Sequence, residues 1–131
     1  MSRHLLLLPA PEAEWAELPA EEHAKGMRSH ERFHDDLRDG GHRLVLSSPL
    51  TPSTTAVSLR PDGDGGVLVT DGPFTESVEQ VVGFYLVETD DRAGLLRLCA
   101  QFAARGELIE FRDLVGPDDH DHDLAAAGGT R

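Results

Sequence analysis

Four consecutive leucines, Leu5 to Leu8, stand between a polar start and the prolines Pro9 and Pro11. A run that short and apolar at every position suits a strand covered on both faces better than a helix. From Pro19 the period changes. Ala24, Met27, His34 and Leu37, with His30 and Phe33 alongside, recur at three- and four-residue steps, which predicts a helix with those side chains turned inward. Pro19 suits its first turn, Glu21 and Glu22 favour its N-terminal dipole, and Gly40-Gly41 stops it.

Beyond the glycines, Arg43 to Leu46 reads as a strand, and Ser47 to Ser53, with two prolines, is expected to leave the ladder. Thr54 to Arg60 and Val67 to Thr70 are β-rich runs joined by the turn-rich Pro61 to Gly66, a hairpin with a loose tip. Val81 to Glu88 is the strongest strand, dense in β-branched and aromatic residues, and belongs at the centre of a sheet. Asp90 is placed to cap a second helix, whose Leu95, Leu98, Cys99 and Phe102 share a face and which ends at Gly106. Leu108 to Leu114 alternates as a closing strand.

This order predicts an α+β fold, a ferredoxin-like β-α-β-β-α-β plan with an inserted β-hairpin. Two helices cover one face of such a sheet, yet the strongest strand places Val82, Phe84 and Leu86 on one side and Val81, Tyr85 and Val87 on the other. Both faces therefore ask to be dry. A second copy of the chain is the simplest cover, which predicts a homodimer through the sheet face, of dimeric α/β-barrel type.

The composition narrows the partners. The chain has 131 residues, enough for one core, and its 12 Lys and Arg against 24 Asp and Glu leave a net charge of -12. Phosphate backbones and anionic membrane surfaces would be repelled, so neither nucleic acid nor membrane is an expected partner. The single Cys99 forms no internal disulfide, and four leucines are too few for a signal core or a span, which together predict a cytoplasmic protein. Residues 1–115 are taken as the domain, and 116–131, with Asp118-Asp119-His120-Asp121-His122-Asp123, as an acidic disordered tail.

One stretch carries a signature. Asp71-Gly72-Pro73-Phe74-Thr75-Glu76-Ser77, followed by Glu79-Gln80-Val81-Val82-Gly83-Phe84-Tyr85-Leu86-Val87, resembles the DGPF branch of the YCII-related family. The leucine-rich first strand, the long helix ending in glycine, and Leu50-Thr51-Pro52 before a Thr-x-Val strand are similar too. The resemblance covers about Arg3 to Leu114 and implies a ferredoxin-like subunit that dimerises by its sheet. YCII-related proteins outside that branch carry a first-helix histidine proposed to pair with an aspartate as a catalytic dyad, and His30 stands in the matching place.

Asp-Gly-Pro is also a turn sequence in its own right. Asp71 either accepts hydrogen bonds from amides two residues on, holding a corner, or is a carboxylate held for acid/base work or ligand binding with Glu76 or Glu79 nearby. The candidate catalytic residues are thus His30 and Asp71. Gly72, Pro73, Phe74, Glu76 and His34 are the candidate ligand contacts.

His30-Glu31-Arg32-Phe33-His34 fits the H-E-x-x-H pattern of zinc enzymes, but only Asp39 and His42 stand near as a third ligand through Arg60, and no metal or cofactor is expected. Two functions follow: a protein that binds or transforms a small molecule between the first helix and the signature loop with a His–Asp pair, or a non-catalytic dimeric regulatory module.

Overall fold

The leucine run is the middle of a longer strand. In a computed structural model, which describes residues 1–116, β1 spans Ser2–Pro11. The acidic run Asp118 to Asp123, and with it nearly all of the segment read as a tail, lies outside the described residues. A short helix α1 (Glu12–Ala16) and the long helix α2 (Ala20–Asp39) follow. Then come β2 (Arg43–Pro49), a single 3-10 turn at Ser53–Thr55, β3 (Val57–Pro61), β4 (Val67–Asp71), β5 (Glu79–Thr89), α3 (Arg92–Ala104) and β6 (Glu110–Asp113).

Four strands form one sheet in the order β2-β5-β1-β6, with every pairing antiparallel, while β3 and β4 pair apart as a hairpin. The fold is α+β and compatible with the ferredoxin-like plan. The strand richest in β-branched and aromatic residues, β5, lies inside, paired with β1 along ten positions.

Alternation divides the sheet. His4, Leu6 and Leu8 of β1 and Tyr85, Val87 and Thr89 of β5 face the helices and are buried. Phe33 and Leu37 of α2 and Leu95, Cys99 and Phe102 of α3 close on them. The centre is aromatic: the Phe33 and Phe102 rings stack with centroids 4.4 Å apart, and Tyr85 meets Phe33 edge-on at 5.1 Å. Such offset and edge contacts suit the ring quadrupoles and add to the stabilisation from burial alone. On the opposite face Leu5 pairs with Leu86 and Leu7 with Phe84, all half-buried, without a layer of helices above them.

Several boundaries moved from expectation for local reasons. Ser47 to Pro49 stay in β2 because β2 is an edge strand, where proline sacrifices no ladder hydrogen bond on the open side. A bulge between Leu44 and Leu46 puts Leu44 opposite Val87 and Leu46 opposite Leu86, so the two leucines serve different faces. Asp91, not Asp90, caps α3, with its Oδ1 accepting from the Gly94 amide at 2.9 Å. Met27, expected inward, is 62% exposed, because α2 packs mainly through its C-terminal half.

The stop of α2 behaves as expected. The Gly41 amide donates to Arg38 and the His42 amide to Leu37, a closure that needs a left-handed residue at Gly41, whose φ is 78°. Trp15 follows on α1. It stacks on His23 of α2 at 4.6 Å, and its ring fills the space above Gly26. None of the described helices is long and apolar enough to cross a membrane.

Candidate functional site

The signature loop leaves the end of β4. Gly72 takes φ 101°, a backbone state open to glycine, and the chain turns away from β3. Two contacts from β3 and its approach hold this corner: the Gly72 amide donates to Ala56 O at 2.6 Å, and Ser58 Oγ donates to Gly72 O at 2.6 Å. Asp71 plays no part in it. Among the described residues its exposed carboxylate accepts no hydrogen bond and forms no ion pair.

The rest of the loop is tied by Gln80, whose side-chain amide donates to Thr75 O at 2.8 Å and Ser77 O at 3.2 Å. Phe74 is exposed beneath the Arg60 guanidinium, 4.9 Å from its ring centre. Between α1 and this loop lies a cleft of about 600 Å³, bordered by Asp71, Gly72, Pro73, Glu76, Glu12 and Ser53. Glu12 grips Ser53 through both its hydroxyl and its amide, and those bonds hold the Glu12 carboxyl below its ordinary range. The cleft therefore presents several carboxylates, with Glu12 fixed as an anion.

His30 stands elsewhere. It lies on α2 on the same side as Phe33 and Leu37, where Nδ1 is 2.6 Å from the Tyr85 hydroxyl and Nε2 is 3.4 Å from Glu107 Oε1. Burial, and next the negative charge of Glu107, push the Tyr85 phenol well above its ordinary range. The phenol thus keeps its hydrogen and can donate to Nδ1 in the tautomer that carries its N–H on Nε2, facing Glu107. Phe102 packs edge-on to His30 at 4.9 Å, fixing the ring. His34, exposed one turn further on, meets Tyr85 edge-on at 5.3 Å. With the phenol holding Nδ1, the half-exposed Nε2 edge beside Glu107 is the part of the ring that can exchange a proton with solvent.

The two halves of the predicted pair are therefore apart. Neither His30 nitrogen is partnered by Asp71. The cleft takes Gln80 from β5, five residues before Tyr85, which is about 16 Å along a strand. Tyr85 and Glu107 escaped notice in the sequence. The signal for Tyr85 was a tyrosine on the inward-facing side of the most apolar strand, since a buried phenol must find a partner. Glu107, after the helix-ending Gly106, left no such trace. Of the H-E-x-x-H pattern, His30 turns inward and His34 is exposed, and among the described residues no three metal-binding side chains converge.

A fold of this plan hosts many unrelated functions and by itself names no chemistry. The model of the YCII-related domain matches residues 3–112, and the chain belongs to that family. It is also 49% identical over 39 residues to an uncharacterised protein of Rhizobium meliloti (strain 1021). That match takes in 30% of this chain and spans about a third, 31%, of the relative.

Proposed function

We propose that this YCII-related chain binds a small molecule in the cleft between α1 and the signature loop, with Asp71 as the carboxylate that meets it. One observation carries the reading: the corner is held without the Asp71 side chain, which is left at the cleft with no partner among the described residues. A turn alone has no need of such a group. The anionic lining favours a ligand bearing an amine or hydroxyl donors and opposes a carboxylate or phosphate ligand.

A thermal-shift screen of small amines, polyols, carboxylates and phosphates tests this. Amines or polyols should raise the melting temperature of the wild type and not of Asp71→Asn; a ligand at about a hundred times its dissociation constant adds roughly 2.7 kcal/mol. An equal response from both proteins, or hits confined to anions, would overturn the assignment.

A second reading, a dimeric module without chemistry, draws on the apolar surface. Val57, Leu59, Val67 and Val69 of the hairpin are 55–62% exposed, and Leu5, Leu7, Phe84 and Leu86 line the open side of the sheet. Burying such area favours association of two copies. A homodimer is compatible with either function, so the ligand screen separates them.

A further inference from the structure

We propose that Ser2, His4 and Asp113 form a second chemical centre, with Ser2 as the nucleophile toward small acyl esters. Antiparallel pairing builds the line. Ser2 and His4 are two residues apart on β1 and share a side, and the register sets His4 opposite Asp113 on β6. Ser2 Oγ lies 2.9 Å from His4 Nε2, and His4 Nδ1 lies 2.8 Å from Asp113 Oδ1.

Each group is held in its role. Arg92 grips Asp113 through two bonds of 2.9 and 3.0 Å, and with His4 it keeps that carboxyl below its ordinary range. The Asp113 carboxylate is placed to accept from Nδ1–H, and in that tautomer the lone pair of Nε2 turns to Ser2. The ring is 2% exposed and stacks on Phe111 at 5.2 Å, which prevents it from swinging away. Ser2 itself is exposed, so an acyl group can reach it. The second acceptor near its hydroxyl, the Thr89 carbonyl, is further off at 3.2 Å.

These are the relations that activate a serine: nucleophile to base, base to orienting carboxylate. Ser2 Oγ attacks the ester carbonyl carbon as its proton passes to Nε2. The carbon–oxygen bond to the alcohol breaks, and Nε2–H returns that proton to the departing oxygen. Water then attacks the acyl-Ser2 carbonyl, giving a proton to Nε2, which passes it back to Ser2 Oγ as the acid leaves. Ester and water become acid and alcohol, with no other reactant. Because Arg92 shares the charge of Asp113, the base is moderated, and esters with good leaving groups are the fitting class.

This centre stands apart from the proposed cleft. Ser2 pairs with Thr89, nine residues along β5 from Gln80, or about 30 Å. A test of one leaves the other untouched.

The full chain, tagged at its C-terminus so that Ser2 stays in place, is treated with a fluorophosphonate and mapped by mass spectrometry. A single adduct on Ser2 is expected from the folded protein and none after denaturation. Hydrolysis of p-nitrophenyl acetate should fall at least about tenfold in Ser2→Ala, with its fold checked by circular dichroism because the change also takes a partner from the buried His4 ring. Asp113→Asn, checked for folding by circular dichroism, should slow Ser2 labelling and shift its pH profile. No adduct on folded wild type, an adduct elsewhere only, or undiminished hydrolysis by Ser2→Ala would overturn the proposal.

Discussion

Replacing Asp71 by asparagine and Ser58 by alanine, each alone, separates a corner held by its aspartate from one held by β3. The structure assigns opposite outcomes. Ser58 is 8% exposed, and its hydroxyl donates to Gly72 O at 2.6 Å. Removing it leaves that carbonyl short of a partner and costs about 1 kcal/mol, the usual net loss for one hydrogen bond. For a domain of this size that is a fall of roughly 3 to 6 °C in melting temperature. Asp71 accepts no bond among the described residues, so Asp71→Asn should stay within about 0.5 kcal/mol of the wild type, as for surface changes away from special features. Urea titrations with unchanged slope give both numbers directly. A loss in Asp71→Asn equal to that in Ser58→Ala would show the aspartate to be a strut of the turn and remove the observation on which the binding site rests.

Tyr85→Phe should cost about 1 kcal/mol, because it strips His30 Nδ1 of its partner while keeping the ring that packs on Phe33; an unchanged denaturation midpoint would refute the pairing. Stability should decline on the acid side: Arg3 and Arg43 lower the Glu88 carboxyl below its ordinary 4.5, and Arg92 then His4 lower Asp113 below 3.8. Groups so depressed stabilise above those ordinary values and lose that contribution as pH falls through their folded ones, so melting temperature should drop below about pH 4.5 and drop less in Arg92→Gln. Burial raises the Cys99 thiol to about 11, so Ellman's reagent at pH 8 should react slowly with the native chain and at once in urea; equal rates would place the thiol at the surface. A chelator should leave the melting temperature unchanged, and a tightly held zinc lost together with stability would restore the H-E-x-x-H reading.

Local signals were enough for the elements. The period of α2, its Gly41 stop, the β3–β4 hairpin and the inner place of β5 all rest on contacts between near neighbours or on how apolar a strand is, and both are written in short stretches of chain. The two faces of β5 followed from simple alternation, and the helix-covered one proved to hold Tyr85 and Val87. Even the family was legible, in the residues from Asp71 to Val87.

What sits beside what was decided by the assembled sheet. The helical stripe turned His30 inward, but its partner depended on which β5 residue lay beneath it and on where the chain emerged after α3, and so Tyr85 and Glu107 took the place given to Asp71. In the same way His4 faces Asp113 across 109 positions of sequence only because β6 pairs with β1 in one register. A one-residue slip would have sent that carboxylate to the other face. Chemistry built across strands is fixed by register, and register is settled by the packing of the whole core rather than by any segment of it.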